Sequence, residues 1–378
     1  MKVLFVTHCT DLSGANSSML QLIQELREYH GVDPFVIYPK IYEKSGRTIE
    51  DVLIEKNIKG FSHPMIIFQR SKVGILHKLY FIFFGFIYLS HILFKLRRLN
   101  FDLVHSNSSV IDFGQYIALW KNIPHIWHFR EVAAISFNYK SVLGVAYQKW
   151  IYHKSTKIIA ISKNVREEFE GLIPLSKTIV VYNGIPVPSH VHLPNHDSEV
   201  INICIVGRLE ANKNQMEAVK ALKLLIDDGI RNIKLFIVGN DKTAYGDGLR
   251  SFVRTNKLED YCVLTGVRSD VGDFMAGMNI GLMLSKHEAF GRVTVEYMMH
   301  GLSVIVSDTG ANPEIVNNGV TGLVYSYGKD IELKNQLKVL ICDKEKRKML
   351  SEKGREYAIK YFTSKQNSDS IFEIYKSL

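Results

Sequence analysis

Short runs of apolar residues alternate with amphipathic segments along almost the whole chain. Each run is short enough for a strand buried on both faces of a parallel sheet, and the segment 17–28 carries Leu20, Ile23 and Leu26 at helical spacing between two such runs. The pattern predicts an α/β protein built from two Rossmann-like domains. The apolar runs lie at 3–7, 35–38, 103–105, 125–127 and 158–160 in the first half, and at 201–206, 235–238, 262–264, 280–283 and 303–306 in the second.

The break between the two halves falls in a proline-rich stretch. Three prolines stand between positions 186 and 194, after Gly184 and before the alternation restarts at Ile201. Proline and glycine punctuate local structure, so we expect a linker with its hinge near Gly184, although a surface loop would show the same residues. The 378 residues also exceed what one hydrophobic core usually organises. The predicted division is a first domain at 1–183, a second at 184–362 and a final amphipathic helix at 363–378.

The composition is that of a globular protein, with 46% hydrophobic and 22% charged residues. The four cysteines, at positions 9, 204, 262 and 342, form no C-x-x-C pair, which argues against a zinc site and against a disulfide framework. The N-terminus MKVLFVTHC has one lysine before a short apolar run, so it is interpreted as a first strand and not as a signal peptide. A cytoplasmic protein is expected.

The net charge of +9 is concentrated in the first half of the chain. Residues 1–183 hold 22 Lys and Arg against 14 Asp and Glu, whereas residues 184–378 hold 25 against 24. No acidic residue lies between Glu55 and Asp102, and this span contains eight basic residues. Nucleic acid is not the expected partner, because the chain has no zinc-finger spacing, no RNP-like aromatic motif and no KH-type loop.

The same basic span contains an apolar and aromatic segment, LYFIFFGFIYLSHILF, at 79–94. It falls short of the ~20 residues that a membrane-spanning helix needs, and Gly85, Ser90 and His91 interrupt it. We expect an interfacial helix whose aromatic side chains enter the lipid while flanking lysines and arginines meet the anionic headgroups of a membrane surface. The alternative is a core helix of the first domain, and different faces of one helix can serve both purposes.

The segment HEAFGRVTVE in the second half carries two acidic residues, Glu288 and Glu296, around Phe290-Gly291-Arg292. Gly291 permits a tight turn before a helix that should begin near Arg292. The free N–H groups and the positive dipole end of a helix start form an anion site, which suits a diphosphate. Carboxylates accept hydrogen bonds from sugar hydroxyls, so the pair predicts a sugar-nucleotide site. The alternative is that both acids only cap or flank the helix.

The segment IVGRLEANKN places a glycine and two basic residues after a predicted strand. Gly207 lets the chain turn, and Arg208 and Lys213 can neutralise a diphosphate leaving group without a metal ion. An exposed pair of basic side chains is the alternative. The chain has no Asp-x-Asp sequence of the kind that holds a divalent ion against a sugar diphosphate, so no metal site is expected.

The segment DLSGANSSML offers a glycine near the start of the first domain. Gly14 follows a strand and a loop and precedes a helix, so its backbone can approach a phosphate closely. An N-capping turn that uses Ser13 or Asn16 explains the same residues.

The run from Glu288 to Gly322 closely resembles the signature of retaining glycosyltransferases of family four. It contains an acid, a Phe-Gly pair, a second acid, a buried strand, a glycine-rich turn and Glu-Ile-Val ending in glycine. The resemblance implies an α/β protein of the GT-B fold, in which two Rossmann-like domains face a central cleft and the C-terminal helix returns to the first domain.

The resemblance also implies roles for the motif residues toward a nucleoside diphosphate sugar. A UDP-sugar is the favoured donor, and neither a cofactor nor a metal is expected. Glu288 would contact hydroxyls of the donor sugar and Glu296 those of the ribose, while the backbone of residues 290–292 would contact the sugar and the distal phosphate. Arg208 and Lys213 would neutralise the leaving diphosphate.

Further roles follow from the same resemblance. His128 would touch the donor sugar near the reacting carbon, and Val267 and Arg268 would hold the base through backbone groups. Related enzymes often carry two adjacent glycines where this chain has Ser13-Gly14, so the detail of that contact stays open. The predicted donor-binding residues are thus Gly14, Gly207, Val267, Arg268, Phe290, Gly291, Arg292 and Glu296, and the predicted catalytic residues are His128, Arg208, Lys213 and Glu288.

Residues near His128 are candidates for the acceptor side. Arg130 and Glu131 can bind an acceptor hydroxyl or phosphate, although an internal salt bridge explains them as well. Other polar residues at strand ends are held only as candidate cleft residues, namely Asp102, His105 and Asn107.

Together these features predict a metal-independent, retaining glycosyltransferase, cytoplasmic and peripheral on the inner face of the cell membrane. It would move a sugar from a nucleoside diphosphate sugar to an acceptor, favoured as a lipid-linked glycan intermediate of cell-surface polysaccharide synthesis. A nucleotide-sugar epimerase on the same scaffold is the second hypothesis, and a noncatalytic lipid-surface binding module is the third.

Overall fold

The computed structural model describes residues 1–12, 14–41, 46–131, 138–189 and 192–378. The chain forms two compact units. Unit 1 comprises Met1–Gly184 together with Ser364–Leu378, and unit 2 comprises Ile185–Thr363. Each unit is built on a parallel sheet with helices, which confirms the predicted pair of Rossmann-like domains.

Unit 1 contains a sheet of seven parallel strands among its described residues, in the order β3-β2-β1-β5-β6-β8-β9, while β4 and β7 form a separate antiparallel pair. The strands are β1 (Lys2–Val6), β2 (Asp33–Pro39), β3 (Lys59–His63), β4 (Gln69–Arg70), β5 (Leu103–Ser106), β6 (His125–Phe129), β7 (Lys140–Ser141), β8 (Lys157–Ala160) and β9 (Thr178–Val180). The helices are α1 (Gly14–His30), α2 (Ile49–Glu55), α3 (Ile75–Leu96), α4 (Phe113–Lys121), α5 (Val145–His153) and α6 (Lys163–Glu168).

Both faces of this sheet are covered by helices. Successive side chains of a strand point to opposite faces, and β1 shows the consequence. Val3 and Phe5 join a buried cluster with residues of α1 and α2, whereas Leu4 and Val6 join a second cluster with residues of α3 and α4. Residues 3–6 of β1 are all apolar because each face of the strand meets a helical layer.

Helix α3 is longer than the predicted segment 79–94, with 22 residues, because the helix continues into its basic flanks. By length and composition it is apolar enough to cross a membrane, yet only 17% of its most apolar window is buried in the protein. Phe81, Ile92 and Leu96 are its buried residues. The core-helix alternative therefore accounts for these three buried residues and for partly buried neighbours such as Leu89 and Leu93, and it leaves most of the apolar window of α3 exposed.

Unit 2 contains a sheet of six parallel strands among its described residues, in the order β12-β11-β10-β13-β14-β15. The strands are β10 (Ile201–Val206), β11 (Ile233–Val238), β12 (Cys262–Gly266), β13 (Ile280–Met283), β14 (Ser303–Ser307) and β15 (Leu323–Tyr325). The helices are α7 (Gln215–Asp227), α8 (Ala244–Thr255), α9 (Val271–Met275), α10 (Arg292–Met299), α11 (Asn312–Ile315), α12 (Asp330–Cys342) and α13 (Lys344–Tyr361).

The last helix, α14 (Ser364–Lys376), belongs to unit 1 although it follows unit 2 in the chain. Ile371, Ile374 and Tyr375 join the buried cluster that contains the core residues of α1. His30 Nε2 lies 2.9 Å from a carboxylate oxygen of Asp369, and this contact adds a polar link between the two helices.

The structure also contains strands that the apolar pattern did not predict. β3 has the sequence KGFSH, β9 has only three residues, and β15 has three as well. All three lie at the edges of their sheets, where one side of the strand has no neighbour and a long apolar run is not required. Several boundaries also differ by one to three residues; near the predicted site, β6 extends beyond residue 127 to Phe129, and Gly14 is the first residue of α1.

Candidate active site

The strand order of unit 2 reverses between β10 and β13. The chain builds outward from β10 to β12 on one side and then returns to add β13, β14 and β15 on the other. Open parallel sheets bind ligands outside the carboxyl ends of their strands, at such a reversal. The loop after β10 carries Arg208 and Lys213, and the loop after β13 carries Glu288, so the topology brings these predicted residues to the same edge.

Asn212 fastens these two loops to each other. Its carbonyl oxygen accepts a hydrogen bond from the Lys286 N–H at 2.9 Å, and its Oδ1 accepts one from the His287 N–H at 3.2 Å. Asn212 lies in the short 3-10 turn Ala211–Lys213, so these bonds also fix the backbone of Lys213. The two loops therefore hold their side chains in a defined relation.

Lys213 and Glu288 form an ion pair across the reversal point. Lys213 Nζ donates to Glu288 Oε2 at 2.6 Å, and the two side chains are only 23% and 15% exposed. A short, charge-assisted bond of this kind is stronger than a neutral one, and its shielding from water distinguishes it from an ordinary surface pair. Lys213, the predicted contact of the diphosphate, and Glu288, the predicted contact of the donor sugar, are thus direct neighbours.

The backbone of Glu288 is fixed by a glycine of the next loop. Gly310 has φ +60, and a Cβ at this position would lie 2.5 Å from the carbonyl oxygen of Glu288. The following N–H, that of Ala311, donates to the same oxygen at 2.8 Å. Only glycine permits this approach, which explains the glycine after Asp308-Thr309 in the sequence.

Gly291 is the N-cap of α10, with φ +87 in the left-handed region. A Cβ there would meet Thr294 Oγ1 at 3.2 Å and Asn312 Oδ1 at 3.5 Å. Both oxygens are buried and have no hydrogen-bond partner among the described residues. The start of α10 therefore combines the anion-attracting end of a helix with two polar atoms that a bound ligand can satisfy.

The first turns of α10 also place Arg292 four residues before Glu296. Arg292 Nη2 and Glu296 Oε1 are 3.7 Å apart. Burial raises the pKa of the Glu296 carboxyl, an effect that Arg292 partly offsets, and burial lowers the pKa of the Arg292 guanidinium. The pair is thus partly desolvated, which strengthens any hydrogen bond that Glu296 accepts from a ligand.

Other residues predicted to bind the donor lie at the same sheet edge as the Arg292–Glu296 pair. A Cβ on Gly239 after β11 would lie 2.0 Å from the carbonyl oxygen of Gly207, so glycine brings the ends of β10 and β11 close. The Arg208 side chain is 74% exposed, with Nη2 3.6 Å from Glu210 Oε1. The Phe290 ring is buried, and the contact of its backbone with a ligand stays a prediction.

Val267 and Arg268 follow β12 at the far side of the same edge. The Val267 side chain is 77% exposed. Arg268 Nη2 donates to Asp270 at 2.5 Å, and its guanidinium lies over the Phe274 ring at 4.8 Å, so this side chain is engaged locally. Their predicted role concerns backbone groups and stays a prediction.

The sheet of unit 1 has its own reversal, between β1 and β5, where Gly14 begins α1. The Asn16 side chain does not cap the helix. Its Oδ1 accepts from Thr7 Oγ1 at 2.6 Å and its Nδ2 donates to the Asp11 carbonyl at 2.7 Å, so it ties down the β1–α1 loop. Asn107, after β5, donates to the Ala15 carbonyl at 3.1 Å. The alternative cap at Ser13 lies outside the described residues.

His128 lies within β6 at the centre of a buried hydrogen-bond network. Arg130 Nη2 lies 3.3 Å from His128 Nδ1. A guanidinium only donates, so His128 Nδ1 is the acceptor and the ring proton of the neutral imidazole is on Nε2. His105 Nε2, 3.1 Å from the same Nδ1, must then donate as well, and His105 Nδ1 accepts from the Tyr375 hydroxyl at 2.6 Å.

This chain of bonds leaves the His128 Nε2–H as a buried donor without a partner among the described residues. Burial lowers the pKa of both His105 and His128 well below the ordinary value, and Arg130 lowers each further. Both rings are therefore neutral near pH 7, and His128 presents one oriented N–H to a ligand.

Arg130 and Glu131 point into hydrogen-bond networks of unit 1. Besides His128, Arg130 donates to Asn107 and to Asn183 Oδ1, the latter at 2.6 Å. Glu131 Oε1 accepts from the hydroxyl groups of Ser108 and Ser109 at 2.6 and 2.8 Å. Asp102 instead accepts from the backbone N–H at position 2, so it fastens the start of β1.

Sequence reasoning missed several residues that position this chemistry. Asn212 lies in the segment that carries Arg208 and Lys213, but nothing in that segment marked it; Tyr375 lies in a segment without a motif, and Gly239 is one glycine among 26. Only the glycine-rich turn around Gly310 carried a signal. Within the part of the chain that the structure describes, no group of three His, Cys, Asp or Glu side chains is placed to hold a metal ion.

Two family models match consecutive parts of the chain. The model for Glycosyltransferase Family 4 matches residues 12–187, and the model for Glycosyl transferases group 1 matches residues 192–357. Together they span most of both units. The predicted signature at 288–322 lies within the second match.

Individual relatives agree with these matches. An uncharacterized glycosyltransferase of Methanocaldococcus jannaschii is 29% identical over 69% of this chain and 71% of its own length. The UDP-Gal:alpha-D-GlcNAc-diphosphoundecaprenol alpha-1,3-galactosyltransferase of Escherichia coli is 21% identical over 74% of this chain and 76% of its own. Among solved structures, HepE of Anabaena in complex with UDP and glucose has a TM-score of 0.80 at 20% identity and full coverage of both chains, a likeness of fold.

Proposed function

The chain belongs to glycosyltransferase family 4, and from this premise we propose that it transfers a sugar from a nucleoside diphosphate sugar, a UDP-sugar by preference, to a lipid-linked acceptor of cell-surface polysaccharide synthesis. The reaction retains the configuration of the sugar and needs no metal ion. The observation that carries the proposal is the Lys213–Glu288 pair at the strand reversal of unit 2.

The pair supports donor binding because it joins the two functions that a sugar diphosphate needs. Lys213 supplies a positive charge for the diphosphate, and Glu288 supplies oxygens that accept hydrogen bonds from sugar hydroxyls. The start of α10 at Gly291 adds a second anion-attracting group, and the exposed Arg208 can turn toward a bound phosphate. Glu296, partly desolvated, would accept hydrogen bonds from the ribose.

The proposed chemistry is positioning and neutralisation. The bond between the anomeric carbon and the diphosphate oxygen breaks, a bond from that carbon to the acceptor oxygen forms on the same face, and the acceptor proton passes to the departing diphosphate. Lys213 and Arg208 would stabilise the charge that develops on the leaving group, while His128 would donate from Nε2 to a substrate oxygen. Orienting two bound substrates lowers a barrier by ~7–11 kcal/mol.

The proposed acceptor class has two supports. The E. coli relative acts on a diphosphoundecaprenol-linked sugar. In addition, α3 exposes apolar residues such as Leu76, Leu79 and Phe83, and basic residues flank it. Because Phe81, Ile92 and Leu96 attach α3 to unit 1, we propose that it lies in the interface of an anionic membrane and does not cross it.

Donor binding is tested with a panel of nucleotide sugars. A preferred donor should raise the melting temperature, as any ligand that binds only the folded state must. Glu296→Ala should abolish the shift, while the matched change Glu345→Ala, at an exposed acid in the first turn of α13, should leave it intact. A panel in which no nucleotide sugar shifts the melting temperature contradicts the proposed donor class.

Catalysis and membrane attachment are tested separately. Release of nucleoside diphosphate should require an acceptor, which also distinguishes transfer from epimerisation. The double variant Leu76→Ser/Phe83→Ser should lose binding to anionic vesicles, with the donor-induced shift in melting temperature retained. Unchanged vesicle binding contradicts the interfacial placement of α3.

A further inference from the structure

A groove lies between α3 and the segment around α4 and α5 in unit 1. Its volume is about 300 Å³, at the lower end of the ~300–1,000 Å³ found for ligand pockets. The stretch of α3 from Phe81 to Leu89 forms one wall, and Phe113, Tyr116 and Leu143 lie on the other. The walls are thus aliphatic and aromatic. Two of the lining residues of α3, Ile82 and Phe86, are themselves exposed, so the groove is continuous with the exposed apolar surface of the helix.

One acidic residue lines the groove, and its carboxyl is already hydrogen-bonded. Asp112 is buried and accepts a hydrogen bond from the Tyr147 hydroxyl, which lies 3.1 Å from the hydroxyl of Tyr116. Burial raises the pKa of the Asp112 carboxyl to about 7. The polar groups of the groove therefore bond to one another, and what remains for a ligand is hydrocarbon surface, which favours an apolar occupant.

The surroundings of the groove indicate where an apolar occupant comes from. Exposed Leu76, Leu79 and Phe83 lie on the same helix, and Lys72, Lys78, Lys95 and two arginines stand near its two ends. Such a surface complements a molecule with a hydrocarbon chain and an anionic head. A soluble apolar metabolite without an anionic group would not require the basic residues at the two ends of α3.

We infer that the groove binds the hydrocarbon chain of the lipid-linked acceptor, while basic residues at the ends of α3 hold its phosphate. The inference rests on the proposed function, since it names how that acceptor is recognised. It implies that chain length contributes to acceptor affinity, because each methylene removed from water is worth about fourfold in binding. Affinity should rise with chain length only until the groove is full.

Gly85 offers a direct test. It lines the groove, and a Cβ at this position meets nothing within 4 Å, so a larger side chain enters empty space. Gly85→Leu should fill the groove without disturbing α3, because leucine also favours a helix more than glycine does. The matched control is Ser90→Leu, which adds the same side chain at an exposed position of α3 outside the groove.

The measurement is calorimetric titration of the full chain with geranyl, farnesyl and geranylgeranyl phosphate, with inorganic phosphate as the headgroup alone. The wild-type protein and Ser90→Leu should gain about tenfold or more in affinity with the first added isoprene unit. Gly85→Leu should bind all three prenyl phosphates about equally. Equal affinity of the three ligands for the wild-type protein overturns the inference, as does an unchanged chain-length dependence in Gly85→Leu.

A second measurement does not depend on the folding of a variant. Farnesyl phosphate with a photoreactive terminus should label peptides that contain Phe113 or Leu143 in the wild-type protein. Labelling confined to the exposed stripe near Leu76 and Leu79 would show surface partitioning and overturn the inference.

Failure of the groove and failure of the proposed function have different signatures. If Gly85→Leu keeps the donor-induced rise in melting temperature and the wild-type protein shows no chain-length effect, only the groove is excluded. If the wild-type protein shows no response to any nucleotide sugar, the proposed function itself fails.

Discussion

In both units the candidate residues lie at the carboxyl edge of a parallel sheet, but these residues are mainly charged in unit 2 and mainly neutral in unit 1. At the reversal of unit 2, Lys213 and Glu288 keep their charges and pair with each other. In unit 1, the residues beside the reversal are imidazoles, amides and hydroxyl groups in a closed network, with Arg130 as its cation. The comparison indicates that unit 2 is equipped to meet a charged ligand and unit 1 to present neutral hydrogen-bond donors.

Burial is the physical origin of this difference. It lowers the pKa of His63 to about 4 and that of His125 to about 3, and it holds the pKa of His105 and His128 well below the ordinary value. In unit 2, burial also lowers the pKa of His196. Neutral donors are therefore a property of the interior of unit 1, and they depend on pH.

The largest expected effect is acid unfolding of unit 1. A histidine whose folded pKa lies below its unfolded value contributes stability above pH ~6.5 that is lost as pH falls toward the folded value, by about 1.4 kcal/mol per pH unit. Four such histidines lose stability over the same pH range. Asp112, whose pKa is raised to about 7, gains stability as the pH falls and so cancels the contribution of one histidine. The net loss of about 4 kcal/mol per pH unit between pH 6.5 and about 4 is comparable with the whole stability of a domain.

Tryptophan fluorescence can follow this transition, because Trp120, Trp127 and Trp150 all lie in unit 1. We expect it to change at higher pH than hydrogen exchange of peptides from β13 and β14. His125→Gln should move the fluorescence midpoint to lower pH. If both units unfolded at the same pH, the proposed difference in acid stability between them would be wrong.

The next largest effect concerns the charged pair of unit 2. Lys213→Met should lower the turnover number by about 100-fold or more, the range observed when a group that stabilises developing negative charge is removed. Glu288→Gln should act similarly, and the double variant should lose little more than either single one, because the two residues act as a unit. Steady-state release of nucleoside diphosphate measures this.

Lys220→Met supplies the control for this cycle, since Lys220 forms a more exposed pair with Asp330 at 3.9 Å in the same unit. It should change turnover less than about twofold, because such pairs contribute at most ~1 kcal/mol. If the effects of the two single variants instead multiply in the double variant, Lys213 and Glu288 do not function together.

A smaller effect is expected from the neutral donor of unit 1. His128→Ala removes one oriented N–H, which should lower turnover by about 10- to 100-fold, while the affinity for UDP alone stays within about twofold. His125→Gln changes another buried histidine of β6 and should not cause this loss of turnover. A large loss of UDP affinity in His128→Ala would place this residue in nucleotide binding and not in the reaction.

The sequence predicted the repeated elements of this fold better than its exceptions. Buried central strands such as β10 and β13 have contiguous apolar runs, and both of their predicted boundaries agree with the structure. The edge strand β3 has the mixed sequence KGFSH, and the edge strand β15 has only three residues, so neither carries an apolar run as long as that of β10. For α3 the pattern favoured an interfacial helix and kept a core helix as the alternative, and the structure leaves most of its apolar window exposed.

In the candidate site, too, the residues of one local motif were predicted from the sequence, whereas contacts between distant segments were not. Glu288, Gly291 and Glu296 stand in one motif, and the left-handed turn at Gly291 follows from glycine itself. The partner of Glu288, Lys213, lies 75 residues away, and no local rule joins them. Their contact needs the order of β10 and β13 in the sheet, together with the hydrogen bonds of Asn212.

The smallest effect sharpens the comparison most, because it concerns how a neutral donor is kept in place. Tyr375→Phe removes the hydroxyl that donates to His105 Nδ1, so only the Arg130–His128 contact then favours the His105 proton on Nε2. Turnover should fall about threefold to tenfold with UDP affinity unchanged, as the loss of one hydrogen bond implies. The exposed hydroxyl of Tyr29 gives the matched control Tyr29→Phe. Imidazole nitrogen NMR shifts should show a changed tautomer balance at His105 in Tyr375→Phe alone, and an identical spectrum would mean that Arg130 by itself sets the His128 proton.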